Sequence, residues 1–338
     1  MAGKRISSRV FILGAGVSAS CGIPVAQNIL RAAMDHLENN DGATRDKIHK
    51  LLDYLYPNFN SALRNYPNIE DFMNLLQMAQ QVNSEDFIES SIWPAVDLRE
   101  IEASVLQAVT DYLWAQMKNC NLEAMKKFAK HILREGDTII TFNWDVTMEK
   151  VLDDEDELTF WYEPTTEVLL LKPHGSIDWF KRAEVPADVA NKALRKIDDE
   201  LSVYPESTLA KHKALKTQPP VIVPPIAMKD FTLPFLRKTW KRVYRAVSQA
   251  TDVYFIGYSL PKEDQFARLV LSRALRNNRL KAHRGEKKGL RIRVVNPDEA
   301  AQQTFIRLVG VGFKTHFEFF HTTFDRFVQS VAESLITL

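Results

Sequence analysis

A chain of 338 residues, 45% hydrophobic and 26% charged, is long enough for one large domain or for a core with a substantial insertion. Its formal net charge of +1 argues against wholesale binding to nucleic acid or to an acidic membrane surface, and no apolar stretch reaches the length of a membrane span. Residues 1–5 lead into the first strand without a signal-peptide core, so the expectation is a cytoplasmic protein with no membrane and no direct nucleic-acid partner.

In chain order, Val10 to Leu13 is a short apolar run closed at once by glycine, which predicts a buried strand. Gly14 and Gly16 permit a tight turn and a close approach that a Cβ would prevent. Ser18 is positioned to cap a helix predicted from about Ile23 into Leu37. Strand, glycine turn and helix start aim backbone N–H groups and a positive dipole end at one spot, which is an anion site, usually for phosphate or pyrophosphate. A tight βα turn without a ligand is the alternative these residues leave open.

From about 41 to 135 the pattern is helical and contains no convincing strand. Ile48, Leu51, Leu52 and Leu55 recur at helical spacing, as do Phe72, Leu75, Leu76 and Ala79. Asn68 or Asp71 can begin the second of these helices, with Pro57 and Pro67 punctuating the connection. Amphipathic segments over 91–118 and 122–133 follow, the last closed by Gly136. This region is read as a large helical insertion after the first βα unit.

Thr138 to Phe142 is the next strand, with Asn143 at its C-terminal end, where open α/β sheets face their ligands. A short helix over 145–152 and a third buried strand over 168–171 follow, the latter ended by Pro173 and Gly175 around His174. Residues 183–233 carry lysines, arginines and a proline cluster and read as a loop-rich basic insertion. It is either a lid or docking surface, or simply solvated. Helices over 234–250, 263–277, 297–309 and 323–336 then alternate with strands over 253–256, 290–295 and 317–320. That alternation predicts a Rossmann-like, doubly wound parallel sheet within a single domain, its core drawn from about 8–40, 136–182 and 234–338.

Asn143 lies within Thr141-Phe142-Asn143-Trp144-Asp145. Its amide can hold a ribose hydroxyl and a water together, or it can cap the following helix as a turn residue. His174 lies within Lys172-Pro173-His174-Gly175-Ser176, and an imidazole there can accept a proton from a ribose hydroxyl or a water, or be a structural histidine. Gly257-Tyr258-Ser259 and Val294-Val295-Asn296 each end a strand. The two cysteines, Cys21 and Cys120, form no Cys-x-x-Cys pair, so a four-cysteine zinc ribbon cannot be built.

Gly14-Ala15-Gly16-Val17-Ser18, then Gly22-Ile23-Pro24, together with the Asn143 and His174 stretches in that order, resembles the sirtuin (SIR2) superfamily. More narrowly, the chain resembles its bacterial, zinc-free branch associated with antiphage defence. The resemblance rests on islands from residue 10 to about residue 296. It implies NAD⁺ as a consumed substrate, with no zinc module and no metal. Its phosphates would rest on Gly14, Ala15, Gly16 and Ser18, with Ile23 and Pro24 in the same binding stretch. Gly257 and Ser259 would form a second nucleotide loop, and Asn296 would hold the adenosine ribose. Asn143 would serve the nicotinamide ribose, Asp145 the nicotinamide amide, and His174 would be the base. Phe142 and Tyr258 depart from the family pattern, as does Val25-Ala26-Gln27, where deacylase sirtuins have Asp-Phe-Arg. The implied function is an NAD⁺ hydrolase (NAD⁺ glycohydrolase) acting in abortive infection, as a homo-oligomer or beside a partner ATPase or other defence subunit. The rivals are an NAD-dependent deacylase or ADP-ribosyl transferase, and a non-catalytic NAD⁺ or ADP-ribose sensor.

Overall fold

Val10, Phe11, Ile12 and Leu13 are all buried, as a strand covered on both faces requires. In the computed structural model, which describes residues 8–84, 97–154, 158–205, 207–208, 219–224, 233–287, 289–309 and 315–336, this strand is β1 (Arg9–Leu13). It sits at the middle of a seven-stranded sheet with β2 (Thr138–Thr141), β3 (Phe160–Trp161), β4 (Val168–Leu171), β8 (Asp252–Ile256), β9 (Leu290–Val295) and β10 (Thr315–Phe320). The spatial order is β10-β9-β8-β1-β2-β4-β3, and every neighbouring pair is parallel. Val10 lies opposite Thr138 on one side and Val253 on the other, and Leu13 opposite Thr141 and Ile256. Beyond β1 the chain builds the sheet in one direction, then returns to build the other. The carboxyl ends of β1 and β8 therefore flank a topological switch point, where such sheets bind ligands.

Alternate β1 side chains feed two different cores. Phe11 and Leu13 pack with α6 (Glu123–His131), α7 (Thr147–Asp154) and α12 (Phe324–Ile336) through Phe128, Val151, Phe324 and Val328. Val10 and Ile12 pack with α9 (Pro234–Gln249), α10 (Gln265–His283) and α11 (Glu299–Val309) through Val243, Val247, Leu271, Leu275 and Phe305. This two-sided burial is the doubly wound Rossmann-like arrangement expected from the alternating pattern. A third core joins α2 (Ala26–Asn40), α3 (Gly42–Leu55), α4 (Ile69–Ser84) and α5 (Leu98–Met117), with Leu30, Met34, Ile48, Leu52, Phe72, Leu76, Val105 and Val109 inside it. Helix α6 packs on the sheet, whereas α2 packs with α3, α4 and α5.

One local expectation is corrected, and two features go beyond the sequence reading. Ser18 does not cap the helix after the glycine turn: it lies inside a five-residue α1 (Ala15–Ala19), and α2 starts later, after an uncapped Val25. Residues 183–233, read as loop-rich, also carry short regular elements. β5 (Trp179–Lys181), β6 (Arg195–Lys196) and β7 (Leu201–Val203) form a small antiparallel sheet in the order β5-β7-β6, beside a one-turn α8 (Ala187–Ala190). Finally, Cys21 and Cys120 meet in a disulfide with a Cα–Cα distance of 4.9 Å, tying the end of the glycine loop to the segment after α5. Residues 209–218 and 225–232 of the basic segment, and 85–96 of the helical one, lie outside the described residues.

Candidate active site at the carboxyl ends of β1, β2, β4 and β8

The glycine turn after β1 is shaped by the turn after β8. Gly14 N–H donates to the Ile256 carbonyl at 3.0 Å, and Gly16 N–H to the Gly257 carbonyl at 2.8 Å. A Cβ on Gly14 would lie 2.6 Å from Tyr258 Cα, and one on Gly16 would lie 2.7 Å from Gly257 Cα. Both glycines are thus required by a neighbouring backbone. The left-handed conformation falls at Gly257, with φ +59°, and not at Gly16. Two amides of the expected phosphate cradle accordingly have protein acceptors, while Ala15, the first residue of α1, has no intrahelical partner for its N–H. Ile23 is buried in the helical core and its N–H donates to the Ser18 carbonyl; Pro24 is half-buried.

Asn143 follows β2 and is half-buried. Its Nδ2 donates to the Gly14 carbonyl at 3.1 Å and to Ser18 Oγ at 2.8 Å. Ser18 Oγ in turn donates to Asp145 Oδ2 at 2.7 Å, and Asp145 Oδ1 accepts from the Thr147 N–H at 3.1 Å and from its hydroxyl. Asn143, Ser18 and Asp145, 127 residues apart at the widest named bond to Asp145, form one polar chain across the β1–β2 boundary. Because Asn143 Nδ2 is held by two acceptors, its amide plane is set before any ligand arrives.

His174 lies in a different group of side chains. Its Nε2 is 2.8 Å from Asp264 Oδ2, and both side chains are buried, at 3% and 0% exposure. Asp264 is the N-cap of α10, accepting the Ala267 N–H at 3.0 Å. The Phe142 ring meets His174 edge-on at 4.9 Å and stacks flat on Tyr258 at 4.6 Å, with Trp240 6.1 Å from His174 on another side. The segment 219–224 closes over the end of β4: Val223 N–H donates to the His174 carbonyl at 2.8 Å and Ser176 N–H to the Val221 carbonyl at 2.9 Å. Gly175, at φ +75°, admits that approach, since its Cβ would fall 1.9 Å from the Val221 oxygen. An imidazole fixed by a buried carboxylate has the orientation and charge compensation a general base needs.

Beneath these residues runs a buried ionic cluster that sequence reasoning missed. Lys172 Nζ, fully buried, donates to the Asp145 carbonyl at 2.6 Å and to Glu149 Oε1 at 2.7 Å. Burial pushes the Glu149 carboxyl up, to about 7, against the pull of Lys172. Burial likewise raises Asp178, again opposed by Lys172. Two carboxyls facing one ammonium in a low-dielectric interior favour retaining a proton between them. The only sequence signal was the lysine of the Lys-x-His-Gly motif; Glu149, Asp178 and Asp264 carried none.

Asn296 is buried at the end of β9, its Nδ2 donating to the Tyr258 carbonyl at 3.3 Å and its N–H to the Phe320 carbonyl at 3.1 Å. Gly257 is thus bracketed by Gly16 and Asn296's partner Tyr258, while the Ser259 side chain is exposed. Leu260, next along, is held at φ +56° although buried, and its carbonyl accepts from Arg268 Nη1 at 2.8 Å. A left-handed non-glycine residue is a strained conformation that surrounding contacts must hold. Tyr258 Oη and Trp144 Nε1 are buried without a hydrogen-bond partner among the described residues.

No protein-family model matches the chain, and no curated protein matches it in sequence. Among solved structures it is similar to a crystal structure of Sir2 in complex with the inhibitor EX-527, 2'-O-acetyl-ADP-ribose and a deacetylated p53 peptide. The two are 13% identical over 98% of this chain and 94% of that chain, with a TM-score of 0.36. Among the described residues no helix is long and apolar enough to cross a membrane. What the topology itself establishes is a Rossmann-like α/β fold, a parallel seven-stranded sheet with helices on both faces.

Proposed function

We propose that the chain cleaves the nicotinamide–ribose bond of NAD⁺ with water as acceptor, releasing nicotinamide and ADP-ribose. The observation that carries this reading is the Asn143–Ser18–Asp145 chain, which joins the glycine turn to the Thr-x-Asn-x-Asp stretch beside the sheet's switch point. In the proposed step the C–N bonding pair leaves with nicotinamide, which departs neutral, and positive charge builds on the ribose. Water supplies the new C–O bond, and its proton passes to His174 or to solvent. Asn143 orients ribose and water, and Asp264 holds the imidazole. The buried, unpartnered Tyr258 Oη and Trp144 Nε1 fit a polar ligand entering this region. The missing Asp-Phe-Arg stretch supports water over an acyl-peptide acceptor. A defence role through NAD⁺ depletion, a homo-oligomeric state and a partner ATPase belong to this proposal through the resemblance.

One second reading has its own support. His174 is 3% exposed, which suits a protein that holds NAD⁺ or ADP-ribose without turning it over. Incubating purified protein with NAD⁺ and no peptide separates the two. Nicotinamide and ADP-ribose in equal amounts support the hydrolase. Tight retention of intact NAD⁺, with no product under any added lysate, supports the sensor. Product that forms only with an acylated peptide would support the deacylase.

A further inference from the structure

Helix α10 carries Arg268, Arg273, Arg276, Arg279, Lys281 and His283 and not one Asp or Glu between Gln265 and His283. Arg273, Arg276, Arg279 and His283 line a cavity of about 460 Å³ together with Arg307 from α11. That volume lies within the range of small-molecule sites, roughly 300–1,000 Å³. Several arginines elsewhere pair with carboxylates: Arg9 with Asp137, Arg195 with Asp153, Arg242 with Glu163, and Arg291 and Arg293 with Asp252. Arg273, Arg276 and Arg307 are exposed and have no carboxylate partner among the described residues. Arg279 is tied to the Val309 carbonyl through Nη1, which fixes its guanidinium, while its Nε is buried with no hydrogen-bond acceptor. A groove lined by four permanently charged guanidiniums, with no carboxylate among its described lining residues, favours an anion.

We propose that this groove binds a small anion carrying two or more linked phosphates. Planar guanidiniums match phosphate oxygens in paired, charge-assisted hydrogen bonds, and convergence from two helices suits adjacent phosphates better than a single one. The C-terminal half of α10 points a negative dipole end at the site, which disfavours anions, but that effect is weak beside four full charges. Leu280, Leu308 and Val309 supply an apolar wall, against which the sugar and base of a nucleotide can lie. The groove is independent of the proposed NAD⁺ chemistry. From the Asp264 cap that holds His174, α10 rises about 1.5 Å per residue, so the groove lies roughly 14–28 Å along the same helix.

The test uses the full chain, with pyrophosphate and ATP as probes in titration calorimetry and thermal-shift measurements. Pyrophosphate should bind with one-to-one stoichiometry and raise the melting temperature. Affinity should weaken as salt rises. The double variant R273Q/R276Q and, separately, R307Q should each weaken binding at least about tenfold, the loss expected when charged hydrogen bonds are removed. Both changes are at exposed side chains, so parental melting temperatures are expected without ligand. Tighter binding of ATP than of pyrophosphate would assign the apolar wall to a nucleoside; equal binding would assign the site to inorganic oligophosphate, and either supports the proposal. Absence of binding at millimolar pyrophosphate and ATP overturns it. So does binding that survives both arginine variants unchanged, since the anion would then occupy a different site. Binding confined to a single-stranded oligonucleotide would assign the surface to nucleic acid and overturn it too.

Discussion

The two walls of the β1 crevice carry the same kind of polar residue in opposite states. At the end of β2, Asn143 is half-buried, with its amide oriented by Gly14 and Ser18. Beyond it, at the end of β4, His174 is sealed by Phe142, Trp240 and the 219–224 segment, and paired with Asp264. On the proposed reading, Asn143 can meet a ligand where it stands, whereas the His174 imidazole is reached only after its cover moves. The difference follows from what each strand end meets. β2 ends opposite the small residues of the glycine turn, whereas β4 ends beneath a covering segment and a stack of aromatic rings. A catalytic reading therefore requires movement on one side only, and the residues that hold that side closed become its regulators.

The largest effect should come from the cluster that supports both walls. Lys172→Met leaves Glu149 and Asp178 buried without their cation, and breaking such a pair costs about 3–5 kcal/mol. Urea unfolding should show a loss of that size; a midpoint at the parental value would remove the cluster from any structural role. Next in size, Asn143→Ala and His174→Ala should each lower NAD⁺ turnover by at least about a hundredfold while NAD⁺ binding largely survives. The double variant should lose little more, because both groups act in one step. Parental turnover in either stable variant would dissolve the comparison between the walls.

A smaller change should follow Asp264→Asn. Asparagine keeps the N-cap of α10, so stability should stay near parental, but the carboxylate that compensates an imidazolium is gone. The expected result is a fall in kcat of about tenfold or more with KM unchanged. A change in KM alone would make Asp264 a binding residue. The smallest effect is a pH slope. The Glu149 carboxyl is raised from its ordinary 4.5 to about 7, so the folded state holds a proton that the unfolded state releases. Its contribution to stability is fully present below about pH 4.5 and is lost as pH rises through about 7. Glu149→Gln should flatten the melting temperature across that window, and an unchanged slope would assign the proton to Asp178.

Much of this was readable in the chain. The strand at Val10–Leu13, the strand ending at Asn143 and the alternation after residue 234 follow from local apolar periods, and the sheet obeys them. Of the two starts that spacing left open for α4, the structure takes Asn68, which accepts the Glu70 N–H at 3.0 Å. The small antiparallel sheet over 179–203 was not legible, because its strands are two or three residues long, too short to show a period. Cys21 and Cys120 gave no sign of their pairing, since 99 residues and a helical core decide whether their Cα atoms meet.

By itself, then, the amino-acid order determined the main strands and helices, which residues stand at strand ends, and that Gly14 and Gly16 favour the absence of a Cβ. Those are consequences of local sterics and of burial periods within a dozen residues. Only the tertiary structure decided what fills the space those glycines leave: the backbone of Gly257 and Tyr258, more than 240 residues away. It also decided that His174 is sealed against Asp264 while Asn143 stands at the open wall. Partner and exposure are set by which elements pack across the sheet, and long-range packing has no local signature in the chain.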